Sequence, residues 1–105
     1  KPLHDIPRMA ELAQAMLRDA LDAYVRHDIP LAEHVLSTDD TVDALKGQVS
    51  SDLVPHMRAA PATIEPALDL ILIARHLERI ADHATNIAED VIFMVSGRDV
   101  RHQGG

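Results

Sequence analysis

The sequence predicts an all-α protein, an up-down-up antiparallel three-helix bundle that occupies residues 1–105 as a single domain. Only 2% of the residues are aromatic and only 4 are glycine, a composition that disfavours β-sandwiches and barrels. Apolar residues recur every three or four positions along three long segments, which is the period of an α-helix. Short proline-containing breaks separate these segments, so neighbouring helices are expected to run antiparallel.

The first helix is expected from about Asp5 to His27, because apolar and small side chains repeat at helical spacing along it. Pro7 falls in its first turn, where a proline removes no helical hydrogen bond. Asp28 follows the segment and is suited to cap the next helix. The repeating stripe comprises Ile6, Met9, Ala13, Met16, Ala20 and Ala23.

The second helix is expected from about Pro30 to Arg58. Ser37–Asp40 lies in its middle and is poor helix-forming sequence, so either one continuous helix or two helices joined by a kink fit the pattern. We favour one helix. Its apolar stripe contains three polar members, Asp39, Lys46 and His56.

The third helix is expected to begin after Thr63, as N-cap, and to end near Val95, with Gly97 as C-cap and residues 98–105 as a tail. Two apolar stripes run along it, and this pattern predicts burial against two neighbouring helices. Glu78 lies within one of them. The other is Leu70, Ile73, Leu77, Ile80, Ala84, Ile87, Val91 and Met94, in which we expect Ile80 and Ile87 to be core residues.

Charge and composition exclude several classes of function. The formal net charge of −7 opposes binding to nucleic acids, to anionic membranes and to inorganic phosphate. The absence of cysteine removes disulfides, thiolate metal sites and cysteine nucleophiles. No apolar run approaches the ~20 residues of a membrane span, and the chain starts without the apolar core of a signal peptide. The absence of cysteine is compatible with a reducing cytosol, and we expect no membrane insertion.

Four acidic residues form the main candidate site. Asp39 and Asp43 are one turn apart on the second helix, and Glu78 and Asp82 repeat that spacing on the third. In a hairpin that turns near residues 60–61, residues at equal height have numbers that add to about 121. Asp39 then lies level with Asp82, and Asp43 with Glu78. Such a carboxylate cluster needs protons, basic side chains or a hard cation to offset its repulsion.

Several interpretations of the acids stay open. They can be solvated at the edge of the bundle, or neutralised by Arg75 and Arg79. A metalloenzyme of the di-iron type is a further alternative, although such bundles use Glu-x-x-His pairs, and the third helix has none. Neither a glycine-rich phosphate loop nor a nucleophile motif is present. A scaffold bundle without metal is the remaining alternative.

Two segments resemble the C-terminal repeat of the PhoU family of phosphate-uptake regulators. Residues 75–90 read RHLERIADHATNIAED and are followed by VIFMV at 91–95 and GRDVRH at 97–102. Residues 39–45 read DDTVDAL and resemble the other family motif. The resemblance covers nearly the whole chain, which would then be the C-terminal half of a protein with two three-helix bundles.

The resemblance implies a function and a set of ligands. Members of the family bind multinuclear iron, or zinc, through E(D)xxxD motifs, which here correspond to Asp39, Asp43, Glu78 and Asp82. The family implies a non-enzymatic, cytoplasmic adaptor that acts negatively on the phosphate regulon. Its implied partners are the sensor histidine kinase PhoR and the ATPase subunit of the Pst phosphate transporter, and the full-length protein is expected to be a homodimer. Exposed residues of the third helix, His76, Arg79 and His83, are candidate partner contacts.

Overall fold

A computed structural model describes the backbone of residues 2–104 and the side chains of residues 4–97. The helices are α1, Pro2–Arg26, α2, Ile29–Ala59, and α3, Ile64–Gly104, with a 3-10 turn at Pro61–Thr63 between α2 and α3. Each helix packs against the other two, and no strand occurs over residues 2–104. The predicted all-α three-helix bundle is therefore confirmed. Within the described residues, none of the helices is long and apolar enough to cross a membrane.

The α1–α2 corner is closed by local hydrogen bonds. His27 adopts a left-handed conformation with φ 55°, and its backbone N–H donates to Tyr24 O at 3.4 Å. The N–H of Asp28 donates to Ala23 O at 2.9 Å, which completes a Schellman motif at the end of α1. The carboxylate of Asp28 then accepts a hydrogen bond from Leu31 N at 3.0 Å. The predicted N-cap is thus confirmed.

Helix α2 is continuous, as favoured from the sequence. Residues 37–40 remain helical, and the hydroxyl of Thr38 donates to His34 O at 2.9 Å within the helix. This bond satisfies the polar side chain without interrupting the backbone ladder. Pro55 also lies inside the helix.

The start of α3 differs from the prediction at Thr63. Its hydroxyl lies 2.8 Å from His56 O and 2.7 Å from Ala60 O, the carbonyls at the end of α2. A hydroxyl that donates backwards to these carbonyls closes the α2–α3 turn, and Thr63 is therefore not the N-cap that we expected.

The end of α3 also differs from the prediction. Gly97 does not terminate the helix, which continues to Gly104, and none of the described glycines has a positive φ. The residues after Gly97 contain no helix breaker until Gly104, so one glycine, which costs roughly 1 kcal/mol in a helix, does not stop propagation. The expected tail is therefore helical.

The core is built on alanines of α3 rather than on its larger side chains. Ala67, Ala74, Ala81 and Ala88 recur every seven residues and are all buried. Ile80 is 37% exposed, so its predicted core position is wrong, while Ile87 is partly buried against the core. The alanines allow α1 and α2 to approach α3 closely, which leaves bulkier residues at the margins of the contact. The largest fully buried side chains are Met9, Met16, Val35, Val42, Val49 and Val91.

Candidate metal centre

The four acids lie on the facing sides of α2 and α3, which run antiparallel. Asp39 and Glu78 are partly buried between the helices, whereas Asp43 and Asp82 are exposed at the margin. The negative charge of Asp82 raises the pKa of Asp39, and that of Glu78 raises the pKa of Asp43. The helix register deduced from the chain therefore places these acids near one another.

Asp39 is the most constrained member of the cluster. Burial, followed by the negative charges of Asp43 and Asp82, raises the pKa of Asp39 above its ordinary value of 3.8. Its Oδ1 atom is buried and has no hydrogen-bond partner among residues 4–97. A buried carboxylate oxygen without a donor is costly, and a proton or a cation would relieve that cost.

Asp43 is coupled to Glu78 across the helix interface. Burial is the first cause that raises the pKa of Asp43, and a hydrogen bond between the Asp43 and Glu78 carboxyl groups is the second. Such a bond requires one carboxyl to carry a proton, so it favours the neutral form. The charges of Glu78, Asp82 and Asp40 act in the same direction.

Lys46 provides positive charge inside the cluster. Its Nζ donates a hydrogen bond to Glu78 Oε1 at 2.7 Å, and it lies one turn after Asp43 on α2. The sequence also allows Arg75 and Arg79 to neutralise the acids, but neither of them forms a salt bridge within the described residues. The signal for Lys46 was its position in the apolar stripe of α2, next to the two aspartates.

The acids are close enough to interact but do not surround a single point. Within residues 4–97, no three His, Asp or Glu side chains converge tightly enough to hold a metal ion. The donor set nevertheless suits a hard cation chemically, since it supplies only carboxylate oxygens and includes the unpartnered Oδ1 of Asp39.

Polar residues that continue this side of α3 are exposed and stand outside the coupled group. Asn86 and Glu89, one and two turns beyond Asp82, are exposed. His76 and His83, expected to be exposed as candidate partner contacts, are exposed as well. The structure therefore concentrates the electrostatic coupling on Asp39, Asp43, Glu78 and Asp82, with Lys46 as the added member.

Comparison with known families gives one match that covers most of the chain. The model of the family described as "PhoU domain" matches residues 6–91. This range includes all four acids, Lys46, the whole of α2 and the part of α3 up to residue 91.

Curated proteins give concordant matches. A protein from Pseudomonas putida is 42% identical over 100 residues, which are 95% of this chain and 39% of that protein. A protein from Caulobacter vibrioides is 41% identical over 98 residues, 93% of this chain and 43% of that protein. Both are named "Phosphate-specific transport system accessory protein PhoU homolog". The chain thus spans about two fifths of the length of these relatives.

Proposed function

This chain belongs to the PhoU domain family, and from that premise we propose that it is part of a regulator of phosphate uptake that acts with a phosphate-specific transport system. The names of relatives at about 40% identity support this role. The chain spans less than half of each relative. The role therefore applies to the full-length protein of which this chain would be a part.

The regulator acts, we propose, as a cytoplasmic, non-enzymatic adaptor. It connects the ATPase subunit of the phosphate transporter to the phosphate-sensing histidine kinase PhoR and holds the phosphate regulon repressed. The exposed His76, Arg79 and His83 of α3 are available for contact with such partners. The full-length protein acts as a homodimer.

The adaptor binds iron or zinc through Asp39, Asp43, Glu78 and Asp82. The observation that carries this proposal is the buried Oδ1 of Asp39, which lacks a hydrogen-bond partner and lies beside other carboxylates. A bound cation supplies positive charge that offsets the repulsion of these acids and links α2 to α3.

Binding requires the side chains to rearrange. Glu78 must exchange its hydrogen bond with Lys46 for the cation, since its Oε1 accepts from Nζ at 2.7 Å. Asp43 must bind the cation in its charged form, which burial and the neighbouring Glu78 disfavour by raising the pKa of Asp43. Both steps involve side chains on helices that are already formed, so the backbone needs no refolding.

Elemental analysis of protein purified without a metal-chelating column tests the metal site. The wild-type chain should contain iron or zinc, and D39N/D43N/E78Q/D82N should contain none while its far-UV circular dichroism stays helical. The control E11Q/D19N/D22N/D90N changes the charge equally outside the cluster and should keep the metal. Equal metal content in the two quadruple variants would refute the site.

A deletion strain tests the regulatory role separately. A bacterium that lacks the full-length parent protein should express phosphatase genes in high phosphate, and the wild-type gene should restore repression. Normal repression in the deletion strain would refute negative regulation. Calorimetry should also show negligible binding of inorganic phosphate to the isolated chain, because the acidic surface repels it; tight binding would indicate a direct phosphate sensor instead.

A further inference from the structure

The outer face of α3 carries leucines that no other helix covers. Leu68 is 47% exposed and Leu72 is 50% exposed. Together with Glu65 and Asp69 they line a shallow groove of about 420 Å³ on the surface of the bundle. The groove lies near the α2–α3 turn, in the first turns of α3 and away from the acidic cluster.

Charges on this face are ordered along the helix. Glu65 and Asp69 precede Leu72, while His76 and Arg79 follow it, and all four charged or polar side chains are exposed. None of them forms a salt bridge in the part of the chain whose side chains are described. Glu65 and Asp69 are like charges one turn apart, an arrangement that is mildly unfavourable in an isolated helix.

The order is symmetric about Leu72. Glu65 lies seven residues before Leu72, and Arg79 lies seven residues after it. In a helix pair of coiled-coil geometry, residues seven apart occupy the same position of the contact, so all three can face the partner helix. Asp69 precedes Leu72 by three residues, and His76 follows it by four. Consider a second α3 that packs antiparallel on the first, with the two Leu72 side chains at the two-fold axis. The acidic residues of each copy then lie opposite the basic residues of the other.

We propose that this face binds a second copy of the chain through an antiparallel α3–α3 contact centred on Leu72. Glu65 of each copy pairs with Arg79 of the other, and Asp69 lies opposite His76. Leu68 and Leu72 of both copies form the apolar centre, and the aliphatic part of the opposing side chains enters the groove. The contact is isologous, since one surface supplies both halves.

The charge order selects the antiparallel arrangement. A parallel pair would place Glu65 against Glu65 and Arg79 against Arg79, with like charges opposed at both ends. The net charge of −7 on each copy opposes association at long range, so the local pairing of acidic with basic groups has to supply the attraction. The apolar centre is only four leucines, which is small for a stable interface, and we expect weak association.

This inference rests on the proposed homodimer and assigns the α3 face around Leu72 as its interface. It does not depend on the metal site, but it places His76 and Arg79 in the dimer contact, so a kinase or transporter partner would compete with the second copy for these two residues. Sedimentation equilibrium of the wild-type chain, at concentrations up to about 1 mM, should show a reversible monomer–dimer equilibrium.

Charge reversal tests the pairing. E65R places arginine against Arg79, and R79E places glutamate against Glu65, so each variant alone should lose dimer affinity by about tenfold or more. An equimolar mixture should recover dimerisation, because positions 65 and 79 are both arginine in the E65R chain and then face positions 79 and 65, both glutamate, in the R79E chain. E33R, on the exposed surface of α2, is the control and should dimerise like wild type. Circular dichroism should show equal helicity in all the variants.

The outcomes separate the surface from the self-association. Wild-type dimers whose affinity is unchanged in E65R and R79E, or two weakened variants that do not recover on mixing, would overturn the Leu72 surface and leave self-association standing. A wild-type chain that stays monomeric over the whole concentration range would also overturn the Leu72 surface, while the dimer of the full-length protein could then depend on the part of the protein outside this chain.

Discussion

Lys46 of α2 and Glu78 of α3 form a salt bridge across the helix interface, with 2.7 Å between Nζ and Oε1. Their side chains are only 38% and 23% exposed, and the same Glu78 raises the pKa of Asp43. Lys46 therefore supplies positive charge where the proposed cation would bind, and the two compete for one carboxylate.

Removal of this competitor should strengthen metal binding. K46M deletes the ammonium group and retains an unbranched side chain, so Glu78 is free to reach a cation. A partly exposed ion pair contributes about 0.2–1 kcal/mol, so the dissociation constant for Zn²⁺ should fall by up to about fivefold. Isothermal titration calorimetry measures the change. K46R keeps the charge and should bind like wild type; equal affinities in K46M and K46R would show that Lys46 does not compete.

Neutralisation of Asp39 should stabilise the metal-free protein at neutral pH. Burial, and then the charges of Asp43 and Asp82, raises the pKa of Asp39, so the folded state binds this proton more tightly than the unfolded state does. The stability that protonation provides is present below the ordinary pKa of 3.8 and is lost as pH rises through the raised value. At pH 7, D39N should therefore gain about 0.5 kcal/mol, the usual scale for a like-charge pair one turn apart.

Urea unfolding at two pH values checks this sign. The advantage of D39N over wild type should shrink towards zero near pH 4, where the wild-type carboxyl also takes up a proton. D22N, on the exposed surface of α1, is the matched control for loss of one charge. An advantage of D39N that grows as pH falls would contradict the assignment.

The sequence predicted the helices better than their contacts. Continuous 3-4 periodicity identified α1 and α2, and the hairpin register placed Asp39 near Asp82. Periodicity alone could not show which stripe of α3 is central, since both stripes are apolar, and the closer approach that alanines allow at Ala74 and Ala81 decides it. The sequence places Lys46 in the apolar stripe of α2. Whether its side chain contacts Glu78 depends on the distance between α2 and α3, and the spacing of residues along the sequence does not give that distance.

The alanine-centred core makes a prediction about two large side chains. Met16 is 1% exposed and Ile80 is 37% exposed. M16A should lower the free energy of unfolding by about 2–5 kcal/mol, since it removes buried methylenes and leaves a cavity. I80A should cost on the order of 1 kcal/mol, because much of its side chain already contacts water. Chemical denaturation compares the two, and a larger loss in I80A would restore the isoleucine stripe as the core.

The left-handed residue at the α1–α2 corner offers a stabilising substitution. His27 has φ 55°, where the β-carbon costs roughly 1–2 kcal/mol and glycine is the usual occupant. H27G removes that strain but adds freedom to the unfolded chain, so relative to H27A, which also lacks the imidazole, we expect a net gain of about 0.5–1 kcal/mol. For a chain of this size the melting temperature should rise by about 2–8 °C in differential scanning calorimetry. H27A is the control, because it deletes the imidazole and keeps the β-carbon. It should show no gain, and an equal rise in H27A would mean that the imidazole, rather than the backbone conformation, limits stability at this corner.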